Sequence, residues 1–208
     1  MKRVSVVFLA ISLLVFVAAT GHAQIVGELW QNQTAASSDA TLAQQASLGT
    51  PDAMFNPTAF NFNSNGTTDY TPALFLNNPT FYSTSGTFSP TASLNNTYFY
   101  FTGSTYLNAG ANSFVVGHDD GLQLNIDTIG LVVDTPGPTS FVNTPFIVTA
   151  PSAGMHTFEL SYGECCGPPA ELLWTVNSVP VGAPEPATML LLGLGLVGLA
   201  GLGRKFKQ

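Results

Sequence analysis

Alternation of apolar and polar residues marks three segments of this chain as half-buried strands. Leu122, Leu124 and Ile126 alternate with Gln123, Asn125 and Asp127. His156, Phe158, Leu160 and Tyr162 share one face of a second segment, with Thr157, Glu159 and Ser161 opposite. Leu172, Trp174 and Val176 line a third. Successive side chains of an extended chain point to opposite faces, so each set buries one face and wets the other. Tyr98 to Phe101 is aromatic throughout and suits a central strand. Helical periodicity is confined to a short stretch around Ala40 to Leu48. Between residues 31 and 97, Asn, Thr, Ser and Pro dominate. Apolar clusters break through only at Ala53-Met54-Phe55, Phe60-Asn61-Phe62 and Ala73-Leu74-Phe75-Leu76, which predicts two or three short strands joined by long loops. The pattern as a whole predicts an all-β domain, an antiparallel β-sandwich around a single core.

Two long apolar runs lie outside that pattern, one at each end. Val4 to Ala19 follows the basic pair Lys2-Arg3 and precedes Gly21-His22-Ala23, which has the layout of a secretory signal peptide over residues 1–23. Ala187 to Leu202 is followed by the basic tail Arg204-Lys205-Phe206-Lys207. At 1.5 Å per residue this run spans about 24 Å as a helix, a little short of a bilayer core. Basic residues beyond a transmembrane helix keep the tail in the cytoplasm, so the chain before it faces outward. Residues 24–180 are then the sandwich domain and residues 181–208 a membrane-directed segment.

Charge sharpens the picture. All five basic residues sit in the two terminal segments, while eleven of the twelve acidic ones fall between Gln24 and Ala183. The exported part therefore carries a formal −11 with no lysine or arginine. It cannot neutralise phosphates, which excludes nucleic acid as a partner, and divalent cations become the natural charged ligand. Candidate chemistry is sparse. In Gly117-His118-Asp119-Asp120-Gly121 two adjacent carboxylates share a turn, an arrangement that calls for a cation or for ample solvent. Cys165 and Cys166 are the only cysteines, so an intramolecular disulfide joins neighbours. The alternatives are two free thiols or a turn staple without a ligand. As a closed ring the pair is a rigid apolar knob. His156 falls on an apolar strand face and reads as a core histidine. Asp119 and Asp120, as neighbours on one turn, are poorly placed to act as acid and base on opposite faces of a sugar. No catalytic residue is assigned, and the expectation is a non-enzyme.

Two resemblances add to this reading. Pro184-Glu185-Pro186, the apolar run and the basic tail together resemble the PEP-CTERM sorting signal of Gram-negative bacteria. That resemblance implies processing by an exosortase-type enzyme from an intermediate anchored in the inner membrane, then delivery to the cell surface or extracellular matrix. A simple tail anchor would not need the Pro-Glu-Pro motif. The stretch from Tyr100-Phe101-Thr102-Gly103 through Leu107-Asn108-Ala109-Gly110 and His118-Asp119-Asp120-Gly121-Leu122 resembles the PA14 domain. So do Val26-Gly27-Glu28-Leu29-Trp30 upstream and Ala170-Glu171-Leu172-Leu173-Trp174 downstream. The resemblance implies a β-sandwich that serves as a carbohydrate-binding or assembly module. In the adhesin branch of that family, adjacent aspartates joined by a cis peptide hold Ca²⁺ that bridges to sugar hydroxyls. Asp119 and Asp120 take those positions here, and Glu164 stands where the family's second loop carries an asparagine. The implied site is calcium on Asp119, Asp120 and Glu164, with His118, Gly121, Cys165 and Cys166 around the ligand, and carbohydrate or exopolysaccharide as partner. The alternative is a structural matrix protein with no specific ligand.

Overall fold

The computed structural model describes residues 24–64 and 70–183, together with Gly195. The signal peptide expected over residues 1–23, Pro184-Glu185-Pro186 and the apolar C-terminal run, Gly195 apart, lie outside the described residues, and no helix among those described is long and apolar enough to cross a membrane. Residues Ala23–Ala183 form one compact unit.

The alternating segments become strands in two different sheets. One sheet of seven strands has the spatial order β4 (Phe81–Thr84), β2 (Ala53–Phe55), β1 (Val26–Trp30), β5 (Thr97–Leu107), β10 (Gly154–Glu164), β7 (Leu122–Ile126), β8 (Gly130–Thr135). The other has the order β12 (Val179–Pro180), β11 (Glu171–Val176), β6 (Gly110–Asp119), β9 (Val142–Ala150), with β3 (Asn61–Asn63) also paired to β11. Every pairing is antiparallel. The expected sandwich is the fold.

The inner faces meet in one aromatic core. Leu122, Leu124 and Ile126 are fully buried, as are Leu160, Tyr162, Leu172 and Trp174. The Trp174 indole packs edge-on against Phe158 at 4.8 Å and tilted against Phe60 at 5.5 Å, which ties β11 of one sheet to β10 of the other. Offset and edge contacts of this kind add to the stabilisation that burial alone provides. On the outer face of β10 the alternation stops after Glu159, and Ser161 and Gly163 are buried too. The cause is a cover: two short helices, α1 (Thr34–Ser38) and α2 (Leu42–Gln45), lie across that face, and the Ser161 hydroxyl donates to the Ala40 carbonyl at 2.6 Å. Tyr98, Trp30, Ala36 and Ala40 form a small second core beneath them.

Between residues 31 and 97 three short strands appear: β2 and β3 fall at two of the apolar clusters, β4 at none, and the third cluster is not a strand. Ala73-Leu74-Phe75 belongs to a helical turn, α3 (Pro72–Phe75). Thr71 caps it by accepting from the Leu74 N–H, and Pro72 occupies the first turn where no N–H is needed. That Thr-Pro signal is present in the sequence.

Candidate functional site

The Asp119-Asp120 turn does not join a hairpin. β6 pairs with β11 and β9, whereas β7 pairs with β10 and β8, so the turn carries the chain from one sheet to the other. The connection from β10 to β11, residues 165–170, crosses at the same end. Two sheet-crossing segments thus run side by side, and each brings acidic residues: Asp119 and Asp120 from the first, Glu164 and Glu171 flanking the second. In the register of the second sheet, Glu171 faces Asp119 directly. The peptide bond between Asp119 and Asp120 is cis, as the PA14 resemblance implies.

Asp120 holds the junction together through its carboxylate. Oδ1 accepts from the Thr139 N–H at 3.1 Å, and Oδ2 accepts from the N–H groups of Cys165 and Cys166 at 3.0 and 3.3 Å. One side chain therefore ties the loop after β8 and the loop after β10 to the turn. Cys165 and Cys166 form a disulfide. Sγ of Cys165 approaches Oδ2 of Asp120 to 3.2 Å, and since a disulfide sulfur carries no proton this is a packing contact. The Asp119 carboxylate accepts from the Phe141 backbone N–H. Burial and the Asp120 charge beside it push its carboxyl up to about 6.

Glu164 lies beneath this pair, fully buried. Its Oε1 accepts from the Tyr70 hydroxyl at 2.9 Å, and Oε2 is 3.0 Å from the Tyr162 hydroxyl, which also donates to the Asp119 carbonyl. A phenol has a single proton and a carbonyl can only accept. With the Tyr162 proton on the Asp119 carbonyl, the contact to Oε2 is satisfied when Glu164 itself is protonated and donates to the phenol oxygen. Burial agrees, pushing the Glu164 carboxyl up to about 8 against the pull of the two tyrosine hydroxyls. One oxygen from each of Asp119, Asp120 and Glu164 lies within 4.8 Å of the others. No basic side chain between residues 24 and 183 balances them.

His118 is buried behind the turn. Its Nδ1 donates to the Asp120 carbonyl at 2.6 Å, and Nε2 is 3.2 Å from the Thr135 hydroxyl, so the imidazole orients the backbone of the turn. Burial lowers its pKa from the ordinary histidine value, which keeps it neutral. Gly121 serves close packing. A Cβ there would overlap the Pro136 carbonyl oxygen and lie 2.5 Å from its carbon, while that oxygen is pinned by the Ala40 N–H at 2.9 Å. Gly163, whose N–H donates to the Gly121 carbonyl at 2.9 Å, is pressed in the same way against the Ser37 backbone. Neither neighbour can give without moving a strand or α1. Gly121→Ala should therefore cost about 3 kcal/mol, the upper part of the overpacking range, read as a lower urea midpoint at unchanged slope. A midpoint within error of wild type would show that the turn can shift.

Asp119 and Asp120 open onto a cleft of about 610 Å³ whose walls include Phe141 on one side and Cys166, Pro168 and Pro169 on the other. Of the residues expected around the site, Asp119, Asp120, Glu164, Cys165 and Cys166 come together. His118 and Gly121 support them from behind. Sequence reading missed Thr139 and Phe141, which act through backbone N–H groups, and Tyr70, which is 94 residues from the glutamate it serves.

Comparison with known proteins gives two findings. Residues 183–205 match the PEP-CTERM protein-sorting motif. The fold is that of PA14 domains. The chain is similar to the PA14 domain of the MpAFP antifreeze protein, with a TM-score of 0.55 and 17% identity over 75% of this chain and 84% of that one. It is also similar to a PA14 sugar-binding domain from an RTX adhesin, with a TM-score of 0.54 and 19% identity over 79% of this chain and 93% of that one. An anti-sigma factor domain-containing protein is similar at a TM-score of 0.50 and 15% identity, over 79% of this chain and 50% of that one. Curated protein sequences give no match.

Proposed function

We propose that this protein is an exported, surface- or matrix-sorted binding module, without catalytic activity, that recognises carbohydrate or exopolysaccharide through Ca²⁺ held at the Asp119-Asp120 turn. The observation that carries the reading is three acidic side chains whose oxygens converge within 4.8 Å, two of them lining an open cleft, in a domain with no basic residue. The donor set suits calcium, a hard cation that takes oxygen ligands. Asp119 and Asp120 would hold the ion from the cleft floor, and Glu164 is available as a third ligand once it gives up its proton. When bound, the ion would offer open coordination positions to ligand hydroxyls. The chain's own residues do the rest. The Thr139, Cys165 and Cys166 N–H groups fix the Asp120 carboxylate, His118 fixes its backbone, and the Phe141 N–H fixes Asp119. Similarity to a sugar-binding PA14 domain supports carbohydrate as the ligand, and the sorting motif supports export and exosortase processing at the membrane.

The test is retention of the exported protein on immobilised polysaccharides in Ca²⁺ and in EDTA. Retention should require Ca²⁺ and fall at least tenfold in Asp119→Ala, the loss of about 1.4 kcal/mol or more expected when a central polar contact is removed. Retention that ignores both EDTA and the substitution would overturn the calcium site. A protein that takes up Ca²⁺ yet binds no glycan would be the structural matrix component instead.

A further inference from the structure

We propose that Phe141 is the specificity-determining residue of the cleft, a stacking platform that selects neutral pyranose sugars over acidic ones. The inference rests on the carbohydrate-binding reading above and adds to it the class of sugar and the side chain that reads it. Phe141 does two things at once. Its backbone N–H donates to the Asp119 carboxylate, which ties the residue to the cleft floor. Its ring lies over Gly117 of β6, where an added Cβ would stand 3.1 Å from the ring's Cε2 and 3.3 Å from Cζ. The strand is reduced to bare backbone under the ring, which gives the phenyl a seat on the outer surface of the sheet, beside Leu173. The side chain is nevertheless 40% exposed, and it lines the cleft. An aromatic ring fixed at its base and open at its face is the form a stacking surface needs.

The opposite wall, Cys166 with Pro168 and Pro169, is also built from apolar ring structures. The cleft therefore has a carboxylate floor between apolar walls. A pyranose matches that division, because its hydroxyls radiate from the ring edge while its axial C–H groups form an apolar face. Charge decides between neutral and acidic sugars. Asp119 and Asp120 line the floor, and Glu171 is paired with Asp119 in the strand register beyond it, so a single divalent ion leaves this acidic cluster net negative. No lysine or arginine is present in residues 24–183 to receive a uronate carboxylate. A uronic acid would bring like charge into a partly desolvated site.

The experiment is a titration of the exported protein in Ca²⁺ with methyl glycosides of glucose, galactose, mannose and fucose, and with methyl glucuronide and galacturonide. At least one neutral glycoside should bind, and it should bind at least tenfold more tightly than either uronide. Phe141→Ala should weaken that binding about thirtyfold, as truncation of an aromatic anchor does, while Phe141→Trp should keep it. The calcium-induced rise in Tm should persist in both variants, because the backbone N–H to Asp119 remains. That separates stacking from a general loss of structure. Wild-type affinity in Phe141→Ala, uronides that bind as well as neutral sugars, or no neutral glycoside bound would each overturn the proposal. If wild type shows no calcium-induced rise in Tm, the calcium reading falls instead. Loss of sugar binding in Phe141→Ala would then still stand as evidence for the platform.

Discussion

In EDTA, the domain should lose several kcal/mol of stability as the pH is raised from about 4.5 to 8, and Ca²⁺ should restore a growing share of it. Two buried carboxyls set the direction. Asp119 is pushed up to about 6, first by burial and then by the Asp120 charge, and Glu164 is pushed up to about 8, first by burial. Both hold a proton more tightly in the folded chain than in the unfolded one. Their contribution is therefore fully present below pH 4 and is lost as the pH rises through 6 and then 8. Each unit of displacement corresponds to about 1.4 kcal/mol, so two groups displaced in the same direction make the slope easy to measure. Calcium competes with those protons, so its stabilisation should be small at pH 5 and large at pH 8. At about 100 times its Kd a ligand adds about 2.7 kcal/mol, several degrees in Tm for a domain of this size.

Glu164→Gln should flatten the upper half of the EDTA profile. The amide stays neutral, its oxygen still accepts from Tyr70, and its NH₂ can donate to the Tyr162 oxygen as the protonated acid does. Urea unfolding at four pH values with and without Ca²⁺ measures all of this. A calcium-free stability that is level or rising between pH 5 and 8 would mean that these carboxyls are paired or hydrated in solution.

The parts of this fold that depend on side-chain identity were legible in the sequence. Leu122-Leu124-Ile126 and Leu172-Trp174-Val176 announce buried faces because burial selects apolar residues at every second position, and the structure buries all six. The paired aspartates are read directly, and the cis bond between them follows from a resemblance carried by Tyr100–Gly103, Leu107–Gly110 and His118–Leu122. What could not be read is what backbone atoms do. Thr139 and Phe141 reach the aspartates through N–H groups that every residue but proline possesses, so their side chains carry no trace of that role. Ser161 and Gly163 occupy a strand face that looks solvent-exposed by its polarity. They are buried because α1 and α2, more than a hundred residues earlier, fold over them. The turn at Asp119-Asp120 reads equally well as a hairpin tip. Only the pairing of β6 with β11, and of β7 with β10, makes it a crossing between sheets.

That crossing makes Asp120 the most sensitive position in the site, and substitution there should separate folding from metal binding. Asp120→Ala should destabilise the domain by about 2–4 kcal/mol even in EDTA, with Tm lowered by roughly 5–10 °C. The substitution strands the N–H groups of Thr139, Cys165 and Cys166, which all point at one carboxylate. A buried donor left without an acceptor costs about 1–3 kcal/mol. Cys165 is buried and its penalty is felt in full, whereas Thr139 is half-buried and Cys166 exposed, so their N–H groups recover part of theirs from water. Asp120→Asn keeps one acceptor, but its NH₂ must then face either Thr139 or the cysteine pair. The lower-cost choice sacrifices Thr139, so this variant should lose about half as much. Asp119→Asn is the contrasting case. It keeps an oxygen for the Phe141 N–H and removes a charge that Asp120 and Glu171 oppose. Its calcium-free stability at pH 8 should equal or exceed wild type while the calcium-induced rise in Tm disappears. If Asp120→Ala unfolds within 1 kcal/mol of wild type in EDTA, the loops do not depend on its carboxylate, and Asp120 serves the cation alone.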